Sequence, residues 1–231
     1  MSVRIAIARL PADLPAFDND WNPADPERRA AIARKHRQVD RVRSRIADYL
    51  LSRVSMGTHG YAPFGRPVST ASALHLSASH DGEWVVAAGS GEPVGIDVVE
   101  VRRAARLPDS ALSPGERPRL PGTPAGTELI RLATIWAAKE AHSKRLGVGL
   151  GIDPASISTE GVDHRHTVAR SAGGETLVRL GMLDPRHILA VTVRDRAEVW
   201  VCHGARLDHH PGTAPFTTLF PQPSHQGVPD V

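Results

Sequence analysis

Trp136-Ala137-Ala138-Lys139-Glu140-Ala141-His142-Ser143-Lys144, followed by Gly147-Val148-Gly149-Leu150, is the stretch on which the reading of this chain turns. It lies in a run without proline or glycine, Glu128 to Leu146, that reads as a long helix ended by Gly147. On such a helix Trp136, Glu140 and Lys144 share one face at four-residue spacing. Alone, Glu140 and Lys144 would be an ordinary surface pair worth about 0.3–0.5 kcal/mol. Their meaning depends on what the rest of the chain brings to them.

Upstream, Val94 to Val99 reads as a strand with Asp97 embedded in apolar residues, as Gly95-Ile96-Asp97-Val98-Val99-Glu100. A buried carboxylate without a partner costs several kcal/mol, so Asp97 calls for a cation, a metal or a set of hydrogen bonds. Two further strands, Leu74 to Ser77 and Trp84 to Ala88, flank a polar turn at His80-Asp81-Gly82. Ser77-Ala78-Ser79-His80 thus ends a strand with a hydroxyl and an imidazole suited to an anion, although Ser79-His80 taken alone is more often a self-satisfied turn. Tyr61 to Pro67 is a loop holding Arg66 between Gly65 and Pro67.

At the N-terminus, Val3, Ile5 and Ile7 alternate as a strand, and Asp25-Pro26-Glu27 starts a helix with Asp25 as cap. Val39, Val42, Ile46, Leu50 and Val54 give the following helix one apolar stripe, ending near Gly57. Pro108, Pro114, Pro118, Pro121 and Pro124 make their segment a connector or a functional surface loop. Thr176 to Leu180, His187 to Val193 and Glu198 to Cys202 read as strands. From Asp208 onward the composition reads as a disordered tail, and its His209-His210 pair lacks a third metal ligand nearby.

Composition narrows the class. The chain has 231 residues with 41% hydrophobic side chains, enough to bury a core and to exclude a wholly disordered protein. One cysteine, Cys202, excludes an internal disulfide and a cysteine-built zinc module, and points to a reducing cytoplasm. No leader-like apolar core or membrane-length apolar run is visible, so the expectation is a soluble, unprocessed protein. The net charge of +3 is unevenly placed: the first 60 residues carry 11 Lys+Arg against 7 Asp+Glu, and the surplus concentrates between Arg28 and Arg53. Such a stripe is either a solvated helix face or a site for a polyanion.

Gly65-Arg66-Pro67, Ser79-His80, Gly95-Ile96-Asp97, Trp136 to Lys144 and Gly147 to Leu150 occur in this order, and through them the chain resembles the 4'-phosphopantetheinyl transferases of the surfactin-synthetase-activating (Sfp-like) type. The likeness spans about residue 5 to residue 202. It implies an α+β fold of two pseudo-symmetric α/β halves, residues 1–106 and 107–207 of one monomeric catalytic unit, with the site between them and 208–231 as a tail. It implies transfer of 4'-phosphopantetheine from coenzyme A to a serine of an apo carrier protein, with release of adenosine 3',5'-bisphosphate. By the same likeness Asp97 and Glu140 hold Mg2+, or Mn2+ in its place, and Glu140 deprotonates the serine directly or through a metal-bound water. Lys144 stabilises the diphosphate, while Arg28, Arg66, Ser79 and His80 clamp the nucleotide end of coenzyme A.

One position departs from the family pattern. A second acidic residue two places after the strand Asp is replaced here by Val99, with Glu100 following. Alternation puts Glu100 on the opposite face from Asp97, so a water is expected to fill the missing ligand place unless a bulge brings Glu100 round. Asp-Val-Val-Glu also resembles the Asp-Ile-Val-Glu of the trimeric holo-acyl-carrier-protein synthases. Two competing readings remain: a nucleic-acid-binding module on an arginine-rich helix 28–53, which leaves Asp97 and Glu140 without a task, and a Mg2+-dependent phosphohydrolase. The preferred partner is an acidic, helical carrier protein, not a nucleic acid or a membrane, and fatty-acid, polyketide and nonribosomal-peptide carriers all stay open.

Overall fold

The computed structural model describes residues 2–10, 22–23, 25–55, 57–62, 65–70, 72–117, 125–161, 165–193 and 198–204. The tail from Asp208, the His209-His210 pair and Pro118, Pro121 and Pro124 lie outside the described residues. The chain runs β1 (Ser2–Arg9), α1 (Pro26–Ala33), α2 (Gln38–Ser55), β2 (His59–Tyr61), β3 (Pro67–Ser69), β4 (His75–Asp81) and β5 (Trp84–Ser90). It continues with β6 (Ile96–Glu100), α3 (Ala125–Leu146), β7 (Ser158–Glu160), β8 (His166–Ser171), β9 (Gly174–Asp184), β10 (His187–Val193) and β11 (Glu198–Gly204).

Two sheets result, a mixed helix-and-strand architecture of the α+β kind. The first is six-stranded in the order β11-β1-β5-β4-β3-β2, and the second five-stranded in the order β6-β10-β9-β8-β7. In each, a first strand leads through a helix to four more strands, and the order first-fifth-fourth-third-second recurs; β11 is added beside β1 and parallel to it. Sheet membership changes between β5 and β6, and changes back at β11.

Alternation along the strands builds the layers. Val3, Ile5 and Ile7 of β1 join Ile96 and Val98 of β6 and Leu189 and Val191 of β10 in a core between the sheets. The opposite face of the first sheet, with Ala6, Ala8, Val85 and Ala87, receives Val42, Ile46, Leu50 and Val54 of α2. The opposite face of the second sheet, with Val99, Val178, Ile188 and Ala190, receives Ala133, Ala137, Ala138 and Ala141 of α3. The layers are therefore helix, sheet, sheet, helix. Among the described residues no helix is long and apolar enough to cross a membrane.

The basic segment 28–53 is two helices and not one, because the chain breaks at 34–37. Asp25 caps α1 as expected, accepting from the Glu27 backbone N–H at 2.9 Å with Pro26 behind it. The proline-bearing segment before α3 is anchored: Ala111, Leu112, Ser113 and Glu116 are all buried.

β4 and β6 belong to different sheets and exchange no backbone ladder, so side chains join them. Ser77 Oγ accepts from the Ile96 N–H at 3.1 Å, Ser79 Oγ donates to Asp97 Oδ1 at 2.6 Å, and Asp81 Oδ2 accepts from the Glu100 N–H at 2.7 Å. These alternate residues of β4 form a polar seam along the junction of the sheets. The site lies on that seam.

Candidate active site

Asp97 is central to the seam and to everything around it. It is 5% exposed, and it leaves β6 on the face turned to α3, since Ile96 and Val98 occupy the inter-sheet core. Gly95 makes the approach possible: a Cβ there would lie 1.8 Å from the Ala141 carbonyl oxygen and 2.8 Å from the Arg145 nitrogen. Only glycine lets α3 rest directly on the start of β6. Lys144 then reaches across, donating to Asp97 Oδ1 at 2.6 Å and to the Ile96 carbonyl at 3.1 Å. With the Ser79 hydroxyl on the same carboxylate oxygen, Asp97 has two donors and a charged partner, which answers the desolvation that its sequence context implied.

Glu140 stands one helical turn before Lys144 on α3. Burial raises its proton affinity, the charge of Asp97 adds to that, and Lys144 works against both. Glu140 thus lies within electrostatic reach of the Asp97 carboxylate. Such a donor set suits a hard divalent cation, which takes one or two carboxylates and completes its shell with water and phosphate oxygens. Among the described residues no group of three His, Cys, Asp or Glu side chains is arranged to hold a metal. Val99, where a further acid would stand, is 6% exposed and packed under α3 with Ala137 and Ala141. Glu100 turns away, accepting from Arg102 Nε at 2.9 Å, with Arg103 also beside it.

An open cleft of about 800 Å³ adjoins this group, lined by Arg66, Pro67, Leu76, Ala78, Lys144 and Val148. Its far wall is glycine-rich: Gly147 follows α3 at φ +75°, and Arg66 lies so close that a Cβ on Gly147 would meet Nη1 at 2.6 Å. The cleft is thus lined by the cations Arg66 and Lys144 with apolar surface beside them.

His80 follows Ser79 on β4 with an exposed edge. Packing around the ring lowers its pKa below the ordinary value, and Arg43, Lys35 and Lys144 push in the same direction. The positive charge of Arg43, Lys35 and Lys144 outweighs that of Asp40 at this ring, a setting that favours negative charge. Arg43 and Lys35 were visible in the sequence only as members of the basic stripe; nothing in their local spacing tied them to His80.

Arg28 is placed differently from Arg66. Its Nε pairs with Asp48 Oδ2 at 2.8 Å, and its guanidinium lies 4.1 Å from the centre of the Tyr61 ring. Asp48 is fully buried and also takes hydrogen bonds from Tyr61 and from His59, the latter at 3.3 Å. Arg28 is therefore part of a network joining α1, α2 and β2, and does not line the cleft. Ser79 and Lys144 are bonded to Asp97, Glu140 stands one turn before Lys144 on α3, and Arg66 lines the cleft with Lys144; His80 follows Ser79 on β4, and Arg28 belongs to the Asp48 network.

The profile of the 4'-phosphopantetheinyl transferase superfamily matches residues 93–192. A 4'-phosphopantetheinyl transferase of Bacillus subtilis is 25% identical over 178 residues, covering 71% of this chain and 80% of the relative. The 4'-phosphopantetheinyl transferase psf-1 of Bacillus pumilus is 29% identical over 137 residues, covering 58% of this chain and 59% of the relative. A holo-[acyl-carrier-protein] synthase of Geobacillus kaustophilus (strain HTA426) is 32% identical over 94 residues, covering 36% of this chain and 73% of the relative.

Proposed function

Because this chain belongs to the 4'-phosphopantetheinyl transferase superfamily, we propose that it transfers 4'-phosphopantetheine from coenzyme A to a serine of an apo carrier protein and releases adenosine 3',5'-bisphosphate. The observation that carries this reading is that Lys144, which lines the cleft together with Arg66, is bonded to the buried Asp97 and stands one helical turn after Glu140 on α3. A diphosphate needs cations on its oxygens and a base for the attacking hydroxyl, and both lie within one turn of α3.

In this reading Arg66 and the cationic surroundings of His80 bind the phosphates of the nucleotide end. Arg28 supports that end from its network with Asp48 and Tyr61. The Ser79 hydroxyl, committed to Asp97, fixes the orientation of that carboxylate. Asp97 and Glu140 would hold Mg2+, or Mn2+ in its place, with water supplying the ligand that a second strand acid would give; the ion would neutralise the diphosphate oxygens. Glu140, whose affinity for a proton is raised by burial and by Asp97, accepts the proton of the carrier serine as its oxygen attacks the β-phosphorus. Lys144 neutralises charge on the departing phosphate. The two sheets with their common strand order form the two pseudo-symmetric halves of one monomeric unit.

The arginine-rich segment that suggested a nucleic-acid binder is split between two helices, and Arg28 and Arg43 are turned to Asp48 and to Asp40 and the Gly82 carbonyl. Incubation with coenzyme A, Mg2+ and a panel of apo fatty-acid, polyketide and peptide carriers, followed by intact mass, tests the transfer. A phosphopantetheine mass gain on at least one carrier is expected. No gain on any carrier, with a control enzyme active on the same samples, overturns the reading.

A further inference from the structure

Lys139 stands beside Glu140 on α3 and is only 1% exposed, although it carries a charge and no step of the transfer uses it. Its Nζ lies 2.6 Å from Glu116 Oε2 and donates to the carbonyls of Ala111 at 2.9 Å and Pro154 at 2.8 Å. Glu116 is itself 4% exposed. It accepts from the Ser113 N–H at 2.8 Å and, at 2.7 Å each, from the N–H and hydroxyl of Thr159. One buried cation therefore ties α3 to the segment before it and to the segment after it, at points that are themselves held by backbone.

The neighbouring contacts of α3 explain what such a tie is for. The helix meets the second sheet through Ala133, Ala137, Ala138 and Ala141. Methyl groups form a shallow surface with few ridges to interlock, so apolar packing fixes distance better than it fixes rotation or slide. Yet Lys144 reaches Asp97, with Glu140 one turn before it, only at one rotation and one axial position of α3. A buried ion pair with defined partners adds to the orientation given by His142, held between Thr176 and Ser171, and by the larger side chains Leu129, Leu132 and Trp136.

We propose that Lys139 and Glu116 are positioning residues: their buried pair sets the rotation and slide of α3 and so holds Glu140 and Lys144 against Asp97. The inference rests on the transferase reading above and deepens it. Removing the pair loosens the metal-binding and proton-accepting group while leaving the Arg66 wall of the cleft in place.

The test is the double variant Lys139→Met/Glu116→Gln, which removes both charges and keeps one acceptor oxygen, enough for the N–H and hydroxyl of Thr159 but not also for the Ser113 N–H. Coenzyme A binding measured by calorimetry without Mg2+ stays within about twofold of wild type, as expected for a cleft wall left intact. The turnover number falls about 10- to 100-fold, the scale of a small misplacement of reacting groups. The Mg2+ concentration that half-saturates the tightening of coenzyme A binding rises about tenfold or more, as when the support of a ligand is lost. Wild-type turnover in the variant, or a Mg2+ response identical in the two proteins, overturns the inference. So does a loss found equally in Mg2+-free coenzyme A binding, which would mark general collapse. If the double variant does not fold, Glu116→Gln alone carries the same measurements with the same directions expected. A wild-type protein that transfers nothing defeats the transferase reading instead, and the calorimetric comparison then judges the pair by itself.

Discussion

Gly95 and Glu100 bracket Asp97, and each makes a residue-level prediction. Gly95→Ala forces a Cβ to within 1.8 Å of the Ala141 carbonyl, so α3 must back away; we expect transfer to fall about 100-fold and stability to drop by about 1–3 kcal/mol, read by initial rates and urea unfolding. Glu100→Ala removes a carboxylate already engaged by Arg102, so transfer stays within about threefold of wild type, whereas Asp97→Ala abolishes it. A loss in Glu100→Ala matching that in Asp97→Ala would show that Glu100 serves the metal. Strand alternation alone put Asp97 on the face opposite Ile96 and Val98, and the structure agrees. The partners of Ser79 and Arg28 were not legible, because Asp97 is 18 residues from the first and Asp48 is 20 from the second. Local spacing carries no record of such pairings.

At the scale of elements, an apolar stripe over many turns located α2, and a run free of proline and glycine up to Gly147 located α3. β2, β3 and β7 are three residues each, too short for alternation to declare itself, and so they escaped the sequence reading. Lys139 escaped for a different reason: a lysine on a helix defaults to solvent, and only the fold brings Glu116 and two carbonyls to it. α3 also docks through His142, which is fully buried between the hydroxyls of Thr176 and Ser171 at 2.9 Å each. Burial, with Arg145 adding to it, holds its pKa below the ordinary 6.5. The unfolded chain then takes up the proton first, so stability is complete above about pH 6.5 and declines as pH falls from there. Thermal unfolding from pH 8 to pH 5 checks this: His142→Gln flattens the decline, which in wild type has a slope of up to about 1.4 kcal/mol per pH unit for this group. His80, lowered for related reasons, contributes in the same direction and keeps the variant from being wholly flat.

Taken whole, the molecule joins its sheets by polar contacts at one end and an apolar core in the middle. Beyond the β4–β6 seam, the β4–β5 and β9–β10 turns meet: Trp84 Nε1 donates to Asp184 Oδ2 at 2.9 Å, and Arg186 pairs with Glu83 at 3.0 Å. Burial pushes Asp184 up, but hydrogen bonds from Trp84, His187 and the Arg186 backbone outweigh it and hold the carboxyl down to about 2. Its folded pKa is depressed, so its contribution is present above the ordinary value of 3.8 and is lost as pH falls through about 2. Asp184→Asn therefore costs roughly 2 kcal/mol at neutral pH, and the difference from wild type vanishes in strong acid, as paired urea titrations would show. The parallel pairing of β11 with β1 has a further consequence for how the chain is made. A polypeptide leaves the ribosome from its N-terminus, so β1 emerges early and waits through nearly 190 residues of synthesis for Glu198 to Gly204. Throughout that interval the outer edge of β1 is a row of backbone donors and acceptors open to any passing strand. Synthesis from β1 to β11 is thus a window for mispairing at β1, and it ends when β11 takes over the edge position.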